Sequence, residues 1–134
     1  MELHENLYAL GLRLGREVFS DPDSFRGALD DFLDEDAATT GDINLLVDAV
    51  RLGAFQSMTT MIDSGAQVTA AVEEAGARLA RDRGSADVAG AQWACAVLGF
   101  AIGKVTDAEV RRYRTQHALP PLPHPPLPPT QAPA

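Results

Sequence analysis

Between Asp87 and Lys104 the chain reads VAGAQWACAVLGFAIG, without a charged residue. Ser85 ahead of it is a favoured N-cap, following Gly84, and Gly103 can end a helix in the left-handed conformation. A helix that is apolar on every side must be covered on every side, so Ser85–Gly103 is expected to be a central rod with the other helices packed around it. Its many alanines let neighbouring backbones come close. The run is shorter and richer in small side chains than the ~20 residues of a membrane span.

The remaining segments carry helical periodicity and no sustained alternation of period two, so no sheet is expected. Leu3, Leu7, Leu10, Leu14 and Val18 form one stripe over residues 3–19. Gly11 and Gly15 within it suggest close packing; following no strand, they do not read as a phosphate-binding loop. Ser20 or Asp21 caps a second helix with Pro22 in its first turn and Phe25, Leu29, Phe32 and Leu33 inward. After the polar break DEDAATTG, Thr39, Thr40 or Asp42 can cap a third helix carrying Ile43, Leu46, Val47 and Val50. Phe55, Met58, Met61 and Ile62 mark a fourth, and Val68, Ala71, Val72, Ala75 and Leu79 a fifth. Glycine punctuates the chain at Gly53, Gly65, Gly84 and Gly103. Thr106 and Glu109 form a capping box opening a last helix with Val110, Tyr113 and His117 on one side. The fold class is therefore all-α, a compact bundle of about six to seven short helices around residues 85–103.

Of the nine prolines, all but Pro22 lie from Pro120 onward. We read residues 1–119 as the helical domain and 120–134 as a disordered proline-rich tail or linker, which acts as a tether or, through its PxxP spacings, as a ligand. The formal charge is −8, which opposes nucleic acid and anionic membranes as main partners. Cys95 is the only cysteine and lies inside the apolar run, so it reads as a core residue in a chain of the reducing cytoplasm. The N-terminus lacks the pattern of a signal peptide.

No catalytic constellation emerges. His4, His117 and His124 are scattered without metal-ligand spacing, and no cofactor or metal is implied. Asp30, Asp31, Asp34, Glu35 and Asp36 cluster, but a calcium loop begun at Asp34 would place Thr39 and Leu45 where glycine and glutamate are needed. Asp30 and Asp31 sit near a helix C-terminus, which the helix dipole disfavours. Arg111, Arg112 and Arg114, with Lys104, are the one concentration of positive charge. The acidic group and Arg111, Arg112 and Arg114 are thus the candidate interaction surface, two poles through which copies or different proteins could associate head to tail.

The order of certain motifs carries a resemblance. Ser20-Asp21-Pro22 precedes Phe25-Arg26-Gly27-Ala28-Leu29-Asp30-Asp31, followed by Asp42 to Val50. Leu79 to Gly84 then leads to Ala89-Gly90-Ala91-Gln92-Trp93-Ala94 and Leu98-Gly99-Phe100-Ala101-Ile102-Gly103. Together these resemble the small all-helical, effector-associated and death-fold-like adaptor modules of bacterial multidomain signalling and conflict proteins. Cys95 and Gly99 stand where that pattern has a larger apolar residue and an alanine. The resemblance implies no catalytic residues and implies a non-enzymatic adaptor that binds protein, homotypically or through the product of a neighbouring gene, and couples a regulator to an effector. Two alternatives stand beside it: a small-molecule sensor with an interhelical pocket near Trp93, Met58 and Met61, and a regulatory subunit of an enzyme encoded nearby.

Overall fold

The computed structural model describes residues 2–33 and 38–118, except for the side chains of His117 and Ala118. The described residues form a compact bundle of α1 (Leu3–Leu14), a 3-10 turn (Arg16–Phe19), α2 (Pro22–Phe32), α3 (Thr40–Arg51), α4 (Ala54–Asp63), α5 (Val68–Arg83), α6 (Val88–Ala101) and α7 (Asp107–Ala118). The proline-rich segment and the inward placement expected for His117 lie outside the described residues.

Local sequence accounts for most helix ends. Asp21 accepts a hydrogen bond from the Ser24 amide, with Pro22 in the first turn of α2. Thr39 accepts from the Asp42 amide at the start of α3. The capping box of α7 is present in both directions: the Glu109 amide donates to Thr106 Oγ1 at 3.2 Å, and the Thr106 amide to Glu109 Oε1 at 3.2 Å. Gly53, Gly65, Gly84 and Gly103 all have positive φ.

Three expectations are corrected. The stripe of residues 3–19 is not one helix, because Gly15 adopts φ 89°, ψ 160° and breaks it. The 3-10 turn beyond that break drops Val18 and Phe19 into the core and leaves Leu14 53% exposed. Burying a phenylalanine, worth about 1.5–3 kcal/mol, outweighs continuing a helix that already carries two glycines. The cap of the central helix is Asp87 rather than Ser85: Asp87 Oδ1 accepts from the Gly90 amide at 2.9 Å, while Ser85 Oγ accepts from the Asp87 amide at 3.0 Å and orders the approach. Finally, the central helix itself spans Val88–Ala101, shorter than 85–103 at both ends.

α6 is the centre of the bundle and touches α1, α3, α4, α5 and α7. Ala91, Trp93, Ala94, Cys95, Ala96, Val97 and Leu98 are all buried, so consecutive residues face protein right round the helix. Close approach depends on two glycines. A Cβ on Gly76 of α5 would lie 2.7 Å from the Cα of Gln92, and one on Gly99 would lie 2.3 Å from Val105 Cγ2. Gly11 serves the same end, its missing Cβ leaving room for the Phe19 ring at 2.9 Å. Phe19 in turn meets Phe25 edge-on at 5.4 Å, which joins the 3-10 turn to α2.

Two predictions follow from this packing. Gly76→Ala should gain about 1 kcal/mol of helix propensity but lose more to displaced backbone, where overpacking costs about 1–3 kcal/mol, so its melting temperature should fall by several degrees. Gly27→Ala, where nothing lies within 4 Å of the new methyl, should instead raise stability by up to about 1 kcal/mol; thermal denaturation of both checks the argument, and equal effects would refute it. Burial pushes the Cys95 thiol up to about 12. Native protein should therefore resist thiol-reactive dyes at about pH 8 and react fully once unfolded in urea, since the thiolate is the reactive form.

Candidate interaction surfaces

Asp30 and Asp31, the described members of the acidic group, stand on a different helix from Arg111, Arg112 and Arg114. Asp30 and Asp31 are exposed at the end of α2, which packs on α3 and the 3-10 turn, whereas α7 packs chiefly on α6. Asp34, Glu35 and Asp36 lie outside the described residues. Arg26, also on α2, donates to Asn44 Oδ1 at 2.8 Å.

Each arginine of the positive pole has a carboxylate partner within the chain. Arg111 bridges Glu2 at 2.5 Å and Asp107 at 2.8 Å, and Arg114 reaches Glu2 at 3.3 Å. Arg112 lies 4.0 Å from Glu73 of α5 and 5.5 Å from the Tyr113 ring centroid. Lys104 pairs with Asp63 of α4 at 2.7 Å. All three arginines are about half exposed, so solvent screens each pair and none of them alone holds the helix in place. Their guanidinium groups remain accessible while holding α7 against the start of α1 and the side of α5.

His4 is a residue whose environment the sequence did not disclose. It is 1% exposed, sits edge-on to Phe100 at 4.8 Å, and its Nε2 lies 2.6 Å from Asp107 Oδ1. The only local signal is its position beside Leu3 and Leu7 on the inner face of α1; its carboxylate partner is 103 residues away. The Arg111 hydrogen bond, followed by that from His4, holds the Asp107 carboxyl below its ordinary range. Among the described residues the pair has no hydroxyl or thiol in hydrogen-bonding contact with His4, so the geometry is that of a tie between α1 and α7.

Clefts open between the helices at two places of interest among the described residues. One, of about 420 Å³, is lined by Asp48, Arg51, Leu52, Asp82, Arg83 and Ser85. Asp48 there joins Arg51 to Arg83 at 2.5 and 2.9 Å, so its charges largely cancel and bind the ends of α3 and α5 together. The other, of about 320 Å³, runs between α1 and the end of α6 along Tyr8, Gly11, Leu12, Gly15, Ala101 and Ile102, beside Arg16. Neither is lined by Trp93, Met58 or Met61, the residues about which a ligand pocket was expected: Trp93 and Met58 are buried in the core.

The second cleft adjoins Leu12, the most exposed large apolar side chain on the described surface, and Tyr8. Leu12 is 72% and Tyr8 41% exposed, four residues apart and therefore on one helical face. Comparison of the chain with protein-family models, with curated proteins and with solved structures gives no match. No helix of the described residues is long and apolar enough to cross a membrane.

The Asp107 tie makes a pH prediction. Folding lowers the pKa of this carboxyl from its ordinary 3.8. Its pairing thus contributes stability that is fully present above that value and lost as pH falls through the depressed one. Asp107→Asn should be less stable than wild type at about pH 7, and the difference should shrink steadily below about pH 4; denaturant unfolding as a function of pH would reveal a constant difference if the tie were unimportant.

Proposed function

We infer that the chain is a non-enzymatic interaction module that binds protein through the outside of its bundle. The observation that supports this reading is the pairing of exposed Tyr8 and Leu12 with an apolar groove alongside them. Neither side chain is needed to fill the core, and apolar groups kept in water beside a concave site are what a protein-binding face requires.

In this reading the module couples a regulator to an effector in a bacterial signalling or defence system in the cytoplasm, as the resemblance to effector-associated adaptor modules implies, and the proline-rich segment beyond residue 119 tethers it. Burial of α6 supports the same view, because it leaves the chemistry to the surface. The products of neighbouring genes are the natural partners to test.

Isothermal calorimetry against those products should give binding in the micromolar range. Leu12→Glu should weaken it at least about tenfold, equivalent to roughly 1.4 kcal/mol, while leaving the melting temperature nearly unchanged because the side chain is exposed. Absence of binding at about 100 µM to every neighbouring product, or full affinity in the Leu12→Glu protein, would count against the module reading or its face respectively.

A further inference from the structure

The outward face of α1 carries a charge pattern that matches itself in reverse. Glu5, Tyr8 and Leu12 follow at intervals of three and four, with Arg13 beside them, and Glu5, Tyr8, Leu12 and Arg13 are all exposed. The midpoint between Glu5 and Arg13 is Ala9, and that between Tyr8 and Leu12 is Leu10, one residue away along the helix. Along the length of the helix, a single two-fold axis near those positions therefore serves both pairs, with Glu5 and Arg13 on the same flank of the apolar pair.

We propose that this face docks on the same face of a second copy of the chain, with the two α1 helices antiparallel. Leu12 of each copy then enters the other's groove beside Tyr8, where Gly11 and Gly15 present no side chain. Glu5 of each copy meets Arg13 of the other, twice by symmetry, whereas a parallel arrangement would set like charges together. The remaining charges at that end agree: Arg16 donates to the Ile102 carbonyl at 2.8 Å, and Arg13 and Arg16 against Glu17 leave one net positive charge there. At the other end Glu2 is already engaged by Arg111 and Arg114.

The chain's own proline-rich segment is the other candidate occupant, and the direction of α7 disfavours it. α7 begins beside His4, and its next turns meet Glu2, so it carries the chain past the start of α1 and away from Leu12. The proposal deepens the interaction-module reading by naming one partner, and it uses a face separate from the charged poles. A contact of one helix and one groove is smaller than a standard interface, so the dimer should be weak, with a Kd on the order of 10–1000 µM.

Sedimentation of the full chain at concentrations up to about 1 mM should give a concentration-dependent dimer. Leu12→Glu should raise its Kd at least about tenfold, whereas Leu14→Glu, off this stripe, should not change it. Glu5→Arg and Arg13→Glu should each dissociate the dimer when alone and form a heterodimer when mixed, because the mixture restores two opposite-charge pairs. That rescue also separates a broken contact from a damaged helix, which matters because Glu5 accepts from the Glu2 amide. A chain that stays monomeric, a dimer indifferent to Leu12→Glu, or failure of the mixed variants to associate would overturn the proposal. A monomer that still binds a neighbouring gene product through Leu12 would overturn self-docking while leaving the interaction module intact.

Discussion

The desolvation of α6 is the constraint on which the bundle rests. A helix with no charged side chain from Val88 to Ala101 has no face that prefers water, so α1, α3, α4, α5 and α7 all take a share of it. Its small side chains set the terms of that contact. Ala91, Ala94 and Ala96 present short projections, Gly76 lets the backbones of α5 and α6 meet at a distance a larger residue would prevent, and Gly99 leaves room for the Val105 side chain. Leu79 of α5 and Leu46 of α3 then supply the apolar bulk from the outside of the rod inward.

Such packing is strong but poorly directional, since shallow alanine ridges offer little to stop one helix sliding along another. Polar ties at the helix ends supply register. His4 and Glu2 pin the first turn of α1 to α7 through Asp107, Arg111 and Arg114; Asp48 and Arg83 pin the end of α3 to that of α5; Asp63 and Lys104 join α4 to the turn after α6. Most are exposed and individually worth little. Their value is positional, because each spans helices distant in sequence and is satisfied in one alignment only. The one tie that is buried on one side, His4 with Asp107, sits among the leucines of α1 beside the Phe100 ring.

What the sequence disclosed follows the same division. Interactions local in sequence were legible: the Thr106–Glu109 box, the positive-φ glycines and the burial of Trp93 to Gly99 right round the helix. Decisions made by tertiary packing were not. Gly15 breaks α1 because Phe19 gains a place in the core, and nothing within residues 3–19 announces that Phe25 and Phe55 wait beside it. Ser85 and Asp87 are both good caps, and the geometry of the turn chose between them. Arg111, Arg112 and Arg114 were visible as a cluster, but Glu2 and Glu73, which engage them, are remote in the chain. Leu12 was hidden for another reason: leucines at positions 3, 7, 10, 12 and 14 crowd α1, and only the fold separates those that fill the core from those left in water.

Net charge bears on what can approach that exposed face. Two bodies of charge −8 with centres about 30 Å apart repel by roughly 9 kcal/mol in unscreened water, far more than a few apolar contacts return. At physiological ionic strength the Debye length is about 8 Å, and the repulsion falls by more than an order of magnitude. Long-range charge then ceases to decide the encounter, and the short-range pattern does: an acidic residue and a basic residue about 12 Å apart on one helix, with Tyr8 and Leu12 between them. A surface so arranged rejects a parallel partner by like-charge contact and admits an antiparallel one, which makes α1 selective in orientation even where its affinity is low.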